Sequence, residues 1–226
     1  YPINRLHFIA SKYPDLARRT AYVLDSKAFI LHELTGAYVT DYSTANSMGC
    51  LDIEGNWDRG IVEAAGFSVE QFPRVVDGFA EKIALKDSLC SSLGLKPGTT
   101  ISPGLYDGAA LAAAMTGFAP EIAVGNFGTS GMFRVPTAAP IEDLEGGAIQ
   151  SCLLKPGTFF TGSGINNCTI ATNLLLNVLG LDLDYLRGKP LSVPGSNGIM
   201  TFPYFTGERD MLIGNIGTGT VIGLGI

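Results

Sequence analysis

The alternation of apolar and polar positions divides the chain near residue 95. Over residues 14–34, Leu16, Ala17, Tyr22, Val23, Phe29 and Ile30 recur at helical spacing and Thr35-Gly36 supplies a stop, which predicts two short helices. The polar stretch 40–46 reads as a loop. It leads to Trp57-Asp58 and a helix over 59–65 closed by Gly66, after which Ser68 caps a further short turn. This half is mainly helical.

Beyond residue 95 the texture changes. Lys96-Pro97-Gly98 makes a turn, residues 99–102 read as a strand, and an alanine-rich helix over 109–115 ends at Gly117, together forming a βα unit. Residues 122–127 and 132–135 predict two strands joined by Gly128-Thr129-Ser130-Gly131. Residues 149–154 and 158–161 predict a second hairpin around Lys155-Pro156-Gly157. A glycine-rich loop over 162–167 then opens a helix over 169–179, with Ile170, Leu174, Leu175 and Val178 on its apolar face and Gly180 as its stop. After a polar segment at 187–197, residues 198–202 and 220–224 read as strands. No internal repeat or low-complexity tract is visible.

Composition narrows the class. With 226 residues, 46% hydrophobic and 16% charged, the chain can bury a substantial core as one large domain or two small ones. A net charge of -6 without a Lys/Arg cluster excludes a general nucleic-acid partner. Charged residues, Gly or Pro interrupt every apolar run well short of the ~20 residues that cross a bilayer, so no membrane partner is expected. Cys50, Cys90, Cys152 and Cys168 lack Cys-x-x-Cys spacing and read as small buried hydrophobes in a reducing compartment, which favours a cytoplasmic address. His7 and His32 stand far apart without a ligand pattern and read as surface or packed histidines, so no metal-binding residues are assigned. Tyr1 in place of an initiator Met, and an end at Gly225-Ile226 just after a strand-like run, give the chain the look of a piece cut at both ends.

Asp107 is the leading chemical candidate. It stands in the run Pro103-Gly104-Leu105-Tyr106-Asp107-Gly108-Ala109-Ala110, an acid between glycines where a strand-like stretch gives way to a helix. Open α/β sheets build their sites at such strand ends, and a carboxylate there suits a base. In Gly128-Thr129-Ser130-Gly131 the glycines let backbone N–H groups converge and the hydroxyls add donors around an anion, although a plain hairpin turn reads the same. Trp57 is the only tryptophan and reads as a packed anchor beside a helix start capped by Asp58. The polar residues 42–46 read as caps and turns near a site.

The ordered set of motifs resembles the FGGY carbohydrate kinases, relatives of actin, hexokinase and the heat-shock ATPases. The segments that carry the resemblance are Leu34-Thr35-Gly36, residues 39–45, Trp57-Asp58, Leu95-Lys96-Pro97-Gly98, residues 104–110, Gly128-Thr129-Ser130-Gly131, residues 162–167 and residues 203–209. The resemblance implies an α/β, actin-like (ribonuclease H-like) ATPase fold with parts of two domains: residues 1–119 from the back of the sugar-binding domain and 120–226 from the front of the nucleotide-binding domain.

It also implies ATP-dependent transfer of the γ-phosphoryl group, with Mg2+, to a terminal hydroxyl of an open-chain sugar or sugar acid. Asp107 matches the catalytic base, and Gly128, Thr129, Ser130 and Gly131 match the second phosphate motif. Residues 162–167 match a loop along the nucleotide, with Gly164 and Asn166 as its contacts, although Asn166, Asn167 and Thr169 serve equally well as helix caps. Glu208-Arg209 matches a Gly-Glu-Arg element read here as an ion pair that fixes a loop.

Departures matter as well. The family's Asp-x-Gly-Thr motif and its Gly-Gly-Gly adenine loop do not occur in these residues, and 210–215 lacks the usual Pro- and Trp-containing run. Gly108 after Asp107 and the Asn166-Asn167 pair bring the chain nearer gluconate than xylulose kinases. The missing motifs keep a second expectation alive, a non-catalytic actin-like module that binds sugar or nucleotide. A homodimer is left open.

Overall fold

A computed structural model of the chain describes residues 1–141, 149–190, 192–208 and 218–225. The chain divides into two units. The first comprises Tyr1–Pro120, Pro136–Pro140 and Ser151–Phe160, and the second the described residues of Glu121–Val135, Ile141–Gln150 and Thr161–Ile226.

In the first unit, prolines start two adjoining helices, α1 (Pro2–Lys12) and α2 (Pro14–Arg19), because proline's missing N–H costs nothing in a first turn. The Asp25 carboxylate caps α3 (Ser26–Thr35) by accepting from the Lys27 and Ala28 amides at 2.8 and 3.0 Å, and Gly36 ends it with φ 85°. α2 and α3 are the two helices read from residues 14–34. α1 is an addition to that reading; it buries Ile3 and leaves Phe8 exposed.

Residues 40–46 depart from the expected loop. Val39–Asp41 is strand β1 and Tyr42–Ser47 is helix α4, capped by Asp41. Polar side chains hid both elements, because Thr40, Asp41 and Ser43 are fully buried by hydrogen bonding instead of by apolar packing.

Asp58 caps α5 (Arg59–Ala64) through the Ile61 amide at 2.9 Å, and Val69–Gln71 forms the short 3-10 turn after Ser68. β2 (Arg74–Val76) then pairs in parallel with β1, Val39 opposite Arg74 and Asp41 opposite Val76. β3 (Ile83–Ala84) precedes α6 (Asp87–Leu93). The strand read over 99–102 shrinks to β4 (Thr100–Ile101), paired antiparallel with β3. The expected βα unit is therefore not built on a parallel strand here. α7 (Asp107–Thr116) ends as read at Gly117 but begins two residues earlier, at Asp107 itself.

Apolar clusters within this unit include two built wholly from described residues. Ile3, Ala17, Val23, Cys50, Val62, Ala65, Phe67 and Phe72 form the larger, and Leu31, Val39 and Val76 the smaller. Trp57 packs on Phe72 with ring centres 4.9 Å apart and donates its indole N–H to the Pro73 carbonyl at 2.8 Å, the anchoring role the sequence suggested. None of the four cysteines is in a disulfide; Cys50 and Cys90 are buried as expected, whereas Cys152 and Cys168 are only partly buried. Burial, with help from the Asp58 charge, pushes the Cys50 thiol up to about 11.

In the second half, β5 (Val124–Phe127) and β6 (Gly131–Thr137) form the antiparallel hairpin expected around residues 128–131, with Phe127 opposite Gly131. β7 (Ile149–Lys155) and β8 (Thr158–Ile165) are neighbours in the sheet order β5-β6-β8-β7. Gly162 and Gly164 thus lie in β8 and not in a loop. A Cβ on Gly162 would stand 1.7 Å from the Phe133 carbonyl oxygen, so the close approach of β8 to β6 requires glycine there. α8 (Thr169–Val178) and α9 (Leu183–Leu186) follow, then β9 (Met200–Phe202) paired antiparallel with β10 (Thr220–Ile222).

Candidate active site

Asp107 opens α7 and is exposed. Its Oδ1 accepts from the Gly108 amide at 2.7 Å, and the carboxylate sits at the positive end of a ten-residue helix. Two contacts fix the chain just before it. The Gly104 amide donates to the Gly78 carbonyl at 2.9 Å, and the Tyr106 amide donates to the Ser43 hydroxyl oxygen at 3.0 Å.

Behind Ser43 lies a polar network. Its hydroxyl donates to the Asp41 carboxylate, whose Oδ1 also accepts from the Ser43 amide at 3.0 Å. Asp41 is fully buried and forms an ion pair with Lys27, whose side chain is 25% exposed. Thr40 adds a hydrogen bond to Asp25 at 3.0 Å, so the start of α3, the end of β1 and the start of α4 are tied together. Buried charge of this kind persists only when paired and fully hydrogen-bonded. Beside the turn lies a cavity of about 240 Å³ whose wall includes Leu105, Phe79, Phe118 and the Asp77–Lys155 pair at 4.0 Å.

Within the second unit, the turn at residues 128–131 is anchored to α8. The Gly128 amide donates to the Ser130 carbonyl at 3.0 Å and closes the turn. The Thr129 carbonyl accepts from the Cys168 amide at 3.2 Å. The Gly128 carbonyl accepts from both the amide and the hydroxyl of Thr169, at 3.0 and 2.8 Å. Two amides at the start of α8 are thus satisfied by the turn's carbonyls, while Thr129 is exposed.

Neither asparagine caps α8, whose N-cap is Cys168. Asn167 instead clamps residues 206–207, donating from Nδ2 to the Gly207 carbonyl at 2.7 Å and accepting at Oδ1 from the Thr206 amide and hydroxyl at 3.0 and 2.9 Å. Asn166 gives its amide to Glu208 Oε1 at 2.7 Å. Glu208 is buried, 7% exposed, and does fix a loop, through Asn166 and Asn167. The expected partner Arg209 and the 210–215 segment lie outside the described residues.

Among the described residues, no three His, Cys, Asp or Glu side chains come together to hold a metal. The network of Lys27, Asp41 and Ser43 was not read as part of a site. Its signals in the sequence are the capping pattern Asp41-x-Ser43-Thr44 and the share of residues 39–45 in the family resemblance.

The pattern of the FGGY family of carbohydrate kinases, N-terminal domain, matches residues 1–115, and the chain belongs to that family. It is 27% identical over 238 residues to a gluconokinase of Bacillus licheniformis, covering 99% of this chain and 46% of that one. With a xylulose kinase of Haemophilus influenzae it shares 23% identity over 214 residues, 92% of this chain and 43% of the relative. The structure of a gluconate kinase from Lactobacillus acidophilus superposes with a TM-score of 0.86 at 24% identity, over 99% of this chain and 46% of that one. The chain therefore spans about half the length of the relatives it matches, and its fold is the α/β, actin-like fold of the family.

Proposed function

We propose that the chain belongs to an ATP-dependent sugar kinase whose acceptor is a terminal hydroxyl of an open-chain sugar or sugar acid, gluconate or xylulose. The observation that carries this reading is Asp107, an exposed carboxylate at the first position of α7 with its approach pinned at Gly104 and Tyr106. Asp107 accepts the hydroxyl proton as the sugar oxygen bonds to the γ-phosphorus, while the bond from that phosphorus to the β–γ bridging oxygen breaks and ADP leaves.

In this reading residues 1–119 contribute to the sugar domain and 120–226 to the nucleotide domain. Gly128, Thr129, Ser130 and Gly131 are assigned to the phosphates, and the anchoring of the Gly128 and Thr129 carbonyls on the start of α8 supports a fixed turn there. Gly164 and Asn166 are assigned beside the nucleotide. Magnesium carried on the substrate phosphates would supply charge neutralisation during transfer. The gluconokinase and xylulose kinase relatives support both acceptors, and neither they nor the structural neighbour favours a non-catalytic module.

The test is ADP release by the full-length protein that carries this chain, scanned over gluconate, xylulose, ribulose and glycerol. One strong responder is expected. In that protein Asp107→Asn should lower kcat by about 10²–10⁴-fold with ATP affinity nearly unchanged, the range ascribed to a positioned general base. Full activity of the variant would remove Asp107 from the mechanism.

A further inference from the structure

We propose that Ser43 is a positioning residue for Asp107, acting through the main chain of Tyr106. This rests on the kinase reading above. Tyr106 is the N-cap of α7 and the residue immediately before Asp107. Its amide has a defined acceptor, the Ser43 hydroxyl at 3.0 Å, from an element 63 positions away in the chain.

The Ser43 hydroxyl is fully buried, and its own proton is committed to the Asp41 carboxylate. That commitment fixes the hydroxyl's rotation and turns a lone pair toward Tyr106. Asp41 in turn is held by Lys27 and by the amides of Ser43 and Thr44. A donor chain thus runs from the Tyr106 amide to the Ser43 hydroxyl and from that hydroxyl to Asp41, and it begins at the residue that sets where α7, and with it Asp107, starts. Phosphoryl transfer depends on alignment of the reacting groups, so a loosened N-cap lowers turnover more than it lowers binding.

Ser43→Ala removes the acceptor while leaving the Asp41–Lys27 pair in place. In the full-length protein kcat should fall about tenfold, with KM for ATP and sugar within about twofold of the parent. Ser43→Thr, which restores the hydroxyl, should recover most of the loss. Hydrogen exchange of the Tyr106 amide reads the same bond without any need for turnover, and in Ser43→Ala it should quicken at least tenfold relative to neighbouring α7 amides.

If Ser43→Ala does not fold, the bond is tested from its other end. Tyr106 has φ −67°, which proline adopts without strain, so Tyr106→Pro removes the donor and Tyr106→Ala keeps it. Tyr106→Pro should turn over about tenfold more slowly than Tyr106→Ala. Unchanged exchange at Tyr106 in Ser43→Ala, or equal kcat for the two Tyr106 variants, overturns the proposal. A parent protein that phosphorylates no sugar overturns the kinase reading instead, and the exchange experiment still decides whether Ser43 holds the turn.

Discussion

At the scale of single residues, the approach to Asp107 depends on an atom that is missing. A Cβ on Gly78 would lie 2.0 Å from the Gly104 carbonyl oxygen, inside any tolerated contact, and a tight 3.2 Å from the Asp41 Cβ. Since Gly104 also donates to the Gly78 carbonyl, the two segments have no slack. Gly78→Ala should therefore destabilise by about 1–3 kcal/mol, the usual cost of overpacking, and slow turnover by shifting Gly104. Gly60 provides the contrast. It lies exposed in α5 with only the Asp58 Oδ1 at 3.4 Å, and alanine there should be neutral or stabilise by up to about 1 kcal/mol through helix propensity. Chemical denaturation of both variants checks the pair, and equal effects would remove the close-approach argument.

At the scale of elements, the turn at residues 128–131 and the start of α8 form one structural piece, because the turn's carbonyls satisfy the helix's first amides. Thr169→Val keeps the amide bond to Gly128 but deletes the hydroxyl bond at 2.8 Å. A loss of about 0.5–1.5 kcal/mol in stability is expected, with KM for ATP raised several-fold and kcat less affected. An unchanged ATP KM would detach this turn from the nucleotide.

What the sequence disclosed at this scale follows from how each element announces itself. α3, α5 and the hairpins around residues 128–131 and 155–157 carried caps, glycine stops and turn residues, which act locally and are legible locally. β1 and α4 carried none of the apolar periodicity by which elements are recognised, since Thr40, Asp41 and Ser43 are buried through partners such as Lys27 and Asp25 that lie far off in sequence. The same nonlocal character hid Ser43 behind Tyr106. Asp107 was visible because its glycine neighbours and the alanine run are contiguous, whereas the true role of Asn167 depends on residues 206–208, some 40 positions downstream.

At the scale of the whole molecule, the fold's dependence on one buried ion pair can be measured with the chain's own probe. Trp57 is the only tryptophan and packs against the larger apolar cluster of the first unit, so its emission follows that unit's unfolding. Asp41 and Lys27 belong to the same unit. Lys27→Met leaves the Asp41 carboxylate buried without its counter-charge, and the Trp57-detected transition should lose about 3–5 kcal/mol. Adding Asp41→Asn removes the stranded charge while keeping an acceptor for the Ser43 and Thr44 amides. The double variant should therefore recover more than half of that loss, a coupling outside simple additivity. If Lys27→Met unfolds within about 0.5 kcal/mol of the parent, the carboxylate is neutralised by something other than Lys27. The network behind Ser43 would then hold its shape by hydrogen bonding alone, and Lys27 would have no part in setting the position of Asp107.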